Sequence, residues 1–125
     1  MAIPAQSEEV IFLPSASRTT TQTSGDLQNL GGRTALNVVL DMTVVGTGSV
    51  TVTINGKDSA SGKYYLVLAG AAVVANSTNR YRVSPTVPSS ANVIAQDELP
   101  PTFQIVVTAN NANAAVYTVG YTLTR

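Results

Sequence analysis

The sequence contains no cysteine, no histidine and no tryptophan among its 125 residues. Without cysteine there is no disulfide framework, no thiolate metal site and no thiol nucleophile. Without histidine the chain lacks the commonest general base and the commonest neutral metal ligand, so neither a Ser-His-Asp nor a Cys-His unit can be built. The sequence therefore predicts no catalytic residue, no cofactor and no metal site, and we expect that the protein is not an enzyme.

Charged residues are also scarce, at 11% of the chain, and seven Lys and Arg balance seven Asp and Glu. Nucleic-acid binding usually depends on a cluster of cations that displaces counterions from phosphates. The nearest approach to a cluster is Arg80 and Arg82, a spacing more typical of the solvated face of one strand. A surface with so little charge offers little repulsion against association. We therefore expect no nucleic-acid partner, and packing into an assembly is compatible with this composition.

Neither a secretory signal nor a membrane span is apparent. No basic residue precedes Arg18, and a long apolar stretch is missing from the N-terminus. The longest apolar run, residues 64–75, is too short to cross a bilayer and contains Gly70. We expect a soluble protein, made in the cytoplasm, with no membrane partner.

Valine and threonine are abundant instead, and β-branched side chains suit a pleated sheet better than a helix. The clearest strand signal lies in residues 34–45, where apolar side chains alternate with polar ones at a period of two. The same alternation resumes in residues 50–54 after a break at Gly46 and Gly48. We predict that these two segments pair as an antiparallel hairpin.

Further strands follow along the chain. Asn55-Gly56 predicts the start of a turn that continues to Gly62, and residues 63–69 then return as a strand. Because both faces of this strand are apolar, the pattern predicts a central position in the sheet. Another strand is predicted over residues 79–83, one helical turn is possible near 90–96, and residues 103–108 and 115–123 predict a final hairpin.

Seven or eight short strands separated by polar turns predict an all-β fold. The expected architecture is a single antiparallel β-sandwich or small barrel, and both a jelly-roll and an immunoglobulin-like arrangement stay open. Residues 1–32 are predicted to form an N-terminal arm with one or two edge strands, and residues 33–125 the β-sandwich domain.

The remaining polar motifs have simple structural interpretations. Asp97 and Glu98 precede Pro100 and are typical of a solvated turn, since neighbours on a strand point in opposite directions. The segment that begins at Asp58 resembles a cation loop but lacks further carboxylates, so a tight hairpin turn is favoured, with Asp58 capping a backbone N–H. The five tyrosines could form a platform for sugars, although packing at the edge of the core is favoured.

Four segments resemble a family of small virion proteins of tailed bacteriophages, the head decoration and minor structural proteins. They are residues 35–45 (ALNVVLDMTVV), 49–68 (SVTVTINGKDSASGKYYLVL), 87–108 (VPSSANVIAQDELPPTFQIVVT) and 117–123 (YTVGYTL). The most distinctive pieces are NGKDSASGKYY and DELPPTFQIVVT. None of these segments is a chemical motif.

The resemblance implies a structural protein of the virion, and a capsid decoration (cement) protein is the favoured role. Such a protein binds the major capsid protein or other virion proteins, often as a homo-oligomer, with a trimer favoured. The alternatives are a minor tail or head–tail protein and a carbohydrate-binding module on the virion surface.

The N-terminal segment is the candidate for binding a partner. Its apolar residues could stretch over a neighbour or add a strand to its sheet, and the equally weighted alternative is that residues 10–13 form the first strand of the domain's own sheet. The candidate arm residues are Ile3, Pro4, Val10, Ile11, Phe12 and Leu13.

Overall fold

The computed structural model describes residues 8–29 and 32–124, and within these ranges it contains strands and turns but no helix. No helix long and apolar enough to cross a membrane is therefore found in this part of the chain. The ten strands are β1 (Glu8–Arg18), β2 (Gln22–Thr23), β3 (Leu27–Gln28), β4 (Ala35–Val44), β5 (Val50–Lys57), β6 (Tyr64–Ala69), β7 (Ser77–Val83), β8 (Ile94–Ala95), β9 (Thr102–Ala109) and β10 (Ala115–Thr124).

The strands form two packed sheets. Sheet A has the order β1-β10-β4-β7-β8, and sheet B has the order β2-β9-β5-β6, with β3 also paired to β9. The pairing is nested: β1 pairs with β10, β2 and β3 with β9, β4 with β7, and β5 with β6. This nested order is that of a jelly roll. The predicted all-β sandwich is confirmed, and the strand order selects the jelly roll over the immunoglobulin-like alternative.

The core lies between the sheets and is built by the two-residue period. Alternate side chains of the long strands point inward, and the buried ones include Leu36, Val38 and Leu40 on β4 and Ile105 and Val107 on β9. Each such side chain contributes about 1.5–3 kcal/mol when it is fully removed from water.

Val44 breaks this inward pattern of β4. The pattern places it on the inner face, yet it is 55% exposed. The register between β10 and β4 shifts between Val116 and Tyr117, and Val44 pairs with Val116 beyond that shift.

Two predicted hairpins are wrong. β4 pairs only within sheet A and β5 only within sheet B, so the segment between them crosses from one sheet to the other. The same is true of β9 and β10. Gly46, at φ 55°, and Gly48 make the first crossing, and a Cβ at Gly48 would lie 3.0 Å from the carbonyl oxygen of Val45. A period of two shows which face of a strand is apolar, but it is the same in either sheet and therefore does not determine which strands pair.

The β5–β6 hairpin does form, although its turn starts later than predicted. Asn55 and Gly56 belong to β5, and the turn spans residues 58–62. The Asp58 carboxylate accepts hydrogen bonds from the backbone N–H groups of Ala60 (3.3 Å) and Ser61 (3.2 Å), and Gly62 adopts φ 73°. The predicted capping role of Asp58 is therefore confirmed.

β6 lies at the edge of sheet B, so its predicted central position is wrong. The register between β5 and β6 shifts between Ile54 and Asn55. As a result Leu68 is buried opposite Ile54, whereas Tyr64 and Leu66 are exposed. Apolar residues on both faces do not by themselves show that a strand has neighbours on both edges, and among the described residues no strand pairs with the outer edge of β6.

The segment predicted to allow a helical turn forms a tight turn and a short strand. Ser90 accepts backbone hydrogen bonds from Val93 (3.1 Å) and Ile94 (3.0 Å), and Asn92 has φ 66°. β8 then runs parallel to β7. The predicted strand over residues 79–83 is confirmed as β7.

The N-terminal part of the chain contributes strands to both sheets. β1 forms the outer edge of sheet A, and β2 and β3 lie beside β9 at the far edge of sheet B. The residues before Glu8 lie outside the described residues.

Candidate interaction surfaces

The candidate arm residues divide between the core and the surface. Leu13 is buried, Phe12 packs against the core, and Val10 pairs with Tyr121 on the inner side of sheet A. Ile11 points outward and is 76% exposed. Ile3 and Pro4 lie outside the described residues. Of the four described candidates, Ile11 is therefore the one whose side chain is most available to a partner, and the role of the segment in partner binding stays a prediction.

The second half of β1 is poorly suited to accept another strand. The Arg18 guanidinium donates hydrogen bonds to the backbone carbonyls of Pro14, Ala16 and Tyr117, and it stacks 4.9 Å from the centroid of the Tyr117 ring. The register of β1 also shifts on both sides of Leu13. Bulges and a proline, which has no N–H to donate, are common ways of blunting an exposed edge.

The edge formed by β6 has neither a charged side chain nor a proline, although its pairing with β5 contains one register shift. Its six residues carry no charge, and three consecutive large side chains are exposed: Tyr64 by 45%, Tyr65 by 48% and Leu66 by 62%. An apolar strand with free backbone N–H and C=O groups is a template for pairing with another chain. We call this strand the β6 edge. Sequence reasoning missed it because residues with apolar side chains on both faces resemble a central strand.

A polar cluster holds the start of the β6 edge to the N-terminal segment. The Asp26 carboxylate accepts hydrogen bonds from Lys57 Nζ (2.6 Å) and from the Tyr64 hydroxyl. The hydrogen bond from Lys57, followed by that from Tyr64, lowers the pKa of Asp26, and the same carboxylate raises the pKa values of Lys57 and Tyr64. The cluster is on the surface, so its contribution to stability is small.

Tyr65 lies beside an open cleft. Its ring covers Gly56, where a Cβ atom would be only 2.4 Å from the ring Cζ. The cleft, with a volume of about 400 Å³, is also lined by Asp97, Glu98 and the segment 99–101. An aromatic ring next to carboxylates is a combination that can bind sugar hydroxyls and the apolar face of a sugar ring.

The other tyrosines follow two patterns. Tyr81 and Tyr117 are buried, and burial raises the pKa of each hydroxyl. Tyr121 is partly buried and packs against the core. The preference for core packing is therefore confirmed for Tyr81 and Tyr117, whereas Tyr64 and Tyr65 are about half exposed.

The other acidic side chains do not converge on one site. Asp97 and Glu98 are exposed in a turn, where Asp97 Oδ1 accepts the N–H of Glu98 (2.8 Å). Asp41 accepts a hydrogen bond from the Thr78 hydroxyl (3.1 Å). Across residues 8–29 and 32–124, no group of three or more acidic side chains is placed to hold a metal ion.

No protein-family model matches the sequence, and no curated protein matches it. The fold, however, is similar to that of the SPBc2 prophage-derived protein YomS, known from a crystal structure. The two superpose with a TM-score of 0.55 at 12% sequence identity, over 99% of this chain and 97% of the other. The protein thus has the fold of a prophage-derived protein along nearly its whole length.

Proposed function

We propose that this protein is a structural component of a phage virion, most specifically a capsid decoration protein that binds the lattice of the major capsid protein and stabilises the head. The end-to-end similarity in fold to a prophage-derived protein supports a phage origin. Binding is favoured over catalysis because the chain has no histidine and no cysteine.

The β6 edge is the observation on which this proposal chiefly depends. Three large exposed side chains next to free backbone groups would favour aggregation of an isolated protein, and a partner that covers them removes that hazard. Each contact of this size is weak, but a lattice presents the same site many times. A homo-oligomer that binds several of these sites at once can therefore decorate the shell with modest affinity at each position.

The copy number per particle tests the proposed role. Quantitative mass spectrometry of purified particles should find a copy number comparable with that of the major capsid protein. Cryo-electron microscopy of the same particles should show density for the protein over the head. A few copies confined to the tail would contradict the head role and support the alternative, a minor tail or head–tail protein.

The proposal includes a homo-oligomer without nucleic-acid or membrane partners. The resemblance favours a trimer on the capsid, and the symmetry of the cryo-electron microscopy density over the head tests that expectation.

A carbohydrate-binding module on the virion surface is the second candidate, and the cleft beside Tyr65 is the observation that favours it. Binding on a glycan array that is lost on Tyr65→Ala would support this role. An array without hits would contradict it. Tyr81 cannot serve as a platform because it is only 3% exposed.

A further inference from the structure

The outer face of sheet A carries three aligned rows of side chains across β1, β10, β4 and β7. The rows follow from the strand registers. The first row is Glu9, Thr122, Asn37 and Arg82, the second is Ile11, Gly120, Val39 and Arg80, and the third contains Thr118, Asp41 and Thr78. We call this surface the A face.

A recess lies in the middle row, where Gly120 separates Ile11 from Val39. It opens into a shallow depression of about 470 Å³. The nearest atom to a Cβ at position 120 would be the Val10 carbonyl oxygen at 3.6 Å, an ordinary contact. A single copy therefore has room for a side chain at position 120. Glycine occupies the position even though it weakens a strand. Glycine in such a strand often marks a place where another group approaches closely.

Charge is distributed unequally across the A face. Glu9 lies on β1 at one side, and Arg80 and Arg82 lie on β7 at the other. Arg80 Nε donates a 2.6 Å hydrogen bond to Asn37 Oδ1, which fixes the direction of that side chain. In the first two rows the face therefore has a negative side and a positive side, separated by the recess, and Asp41 lies apart from them in the third row.

We propose that the A face binds the A face of a second copy around a two-fold axis parallel to the strands. This axis places β1 over β7 of the second copy and β10 over β4. Glu9 then faces Arg82 of the second copy, Val39 enters the recess at Gly120, and Ile11 lies against the aliphatic part of Arg80. Each contact occurs twice because the interface is isologous.

The positions of the charged residues favour this axis over one perpendicular to the strands. In the third row Asp41 faces Thr118 of the second copy, so none of the three rows brings like charges together. A two-fold axis perpendicular to the strands through the middle row would instead place Arg80 against Arg80 and Ile11 against Ile11. Opposed like charges disfavour such a complex.

The size of the A face predicts a weak dimer. β1, β10 and β4 have ten or eleven residues and β7 has seven. At about 3.4 Å per residue and about 4.8 Å between strands, they cover roughly 600 Å². Stable interfaces bury about 800 Å² on each partner. Association should therefore depend on protein concentration, and it should weaken with added salt because the facing charges are near the surface.

Sedimentation equilibrium of the full chain tests the pairing. The unmodified protein should show a monomer–dimer equilibrium. Arg82→Glu and Glu9→Arg should each raise the dissociation constant by at least about tenfold, because like charges then face each other. The double variant Glu9→Arg/Arg82→Glu should restore it to within about threefold, since the charges are exchanged but again complementary. Lys63→Glu, a reversal in the exposed β5–β6 turn, is the matched control and should leave the equilibrium unchanged.

Gly120→Val gives a test that does not depend on charge. It should leave thermal unfolding nearly unchanged and abolish the dimer by filling the recess. A protein that is monomeric at every accessible concentration would overturn the proposal, as would dimerisation unaffected by Arg82→Glu. The proposal would also be overturned if the double variant folded but did not recover dimerisation. The same holds if the protein formed a trimer that persisted in the Arg82→Glu and Glu9→Arg variants. None of these results bears on the copy number in the particle, so the virion role is tested separately.

Discussion

Gly56 and Gly70 lie where the side chain of any other residue would contact a tyrosine. A Cβ at Gly56 would be 2.4 Å from the Tyr65 ring, which is half exposed and can move toward solvent. A Cβ at Gly70 would be 2.8 Å from both the buried Tyr81 ring and the Val52 backbone carbonyl. The freedom of the neighbouring atoms, more than the distance itself, therefore determines how well each site tolerates a side chain.

We predict that Gly70→Ala is the more damaging of the two substitutions. It should lower the free energy of unfolding by about 2–3 kcal/mol, and Gly56→Ala by about 1 kcal/mol, within the range expected for overpacking. Urea denaturation monitored by circular dichroism measures both. Gly120→Ala is the control and should be neutral or slightly stabilising, because its Cβ has room. Equal losses at positions 56 and 70 would contradict this explanation.

The Asp26 carboxylate gives the protein a stability term that depends on pH. Hydrogen bonds from Lys57 and Tyr64 lower its pKa below the ordinary value of 3.8. The unfolded chain therefore binds this proton more readily than the folded one, so the stabilising contribution is present above that value and is lost as the pH falls below it.

We predict that Asp26→Asn reduces stability at neutral pH and that the difference from the unmodified protein disappears in acid. The midpoint of urea unfolding should be lower for the variant at neutral pH, and the two midpoints should converge below about pH 4. Asp58, whose pKa is also lowered, titrates in both proteins and cancels in the comparison. A constant difference at all pH values would show that the carboxylate charge is not responsible.

At the scale of elements, β6 differs from β1, the long strand at the edge of sheet A. Arg18 and the bulges of β1 reduce its capacity to pair, whereas β6 is uncharged and exposed. Lysine on an edge strand is a common protection against pairing. A single lysine in β6 should therefore weaken the binding that we propose without changing the stability of the fold.

We predict that Leu66→Lys leaves the free energy of unfolding within about 0.5 kcal/mol of the original, because Leu66 is 62% exposed. The same substitution should reduce recovery of the protein on purified particles in a co-sedimentation assay. Val44→Lys, at a residue 55% exposed on sheet A, is the matched control and should bind normally. Normal binding by Leu66→Lys would exclude the β6 edge as the surface that contacts the particle.

The candidate site could be predicted only in part from the sequence. The capping role of Asp58 was predictable because the hydrogen bonds of its carboxylate join residues three positions apart or fewer. The contact between Tyr65 and Gly56 was not, since it depends on a register shift in β6. The exposure of Ile11 was likewise not predictable, because it depends on the pairing of β1 with β10 at the other end of the chain.

For the whole molecule, the nested pairing makes most contacts distant in sequence. Glu8 pairs with Leu123, and the β5–β6 hairpin is the innermost pair of the nest. Contacts between distant residues require the loss of chain entropy before they give stability, and this slows folding.

We predict that the protein refolds in milliseconds to seconds, as other β-sandwiches with non-local contacts do. Stopped-flow refolding from urea, followed by tyrosine fluorescence, measures the rate. Relaxation within microseconds would contradict the prediction, because it would require a native state dominated by local contacts.

The sequence by itself determined which residues form most of the strands and which face of most strands is apolar. Both follow from the two-residue period of an extended backbone, which is a local property. Only the tertiary structure decided which sheet each strand joins, which strands lie at the edges, and that β4 and β5 lie in different sheets. Strand pairing depends on the burial of all inner faces together. The partner of a strand is therefore determined by the whole chain and cannot be predicted from the residues of that strand alone.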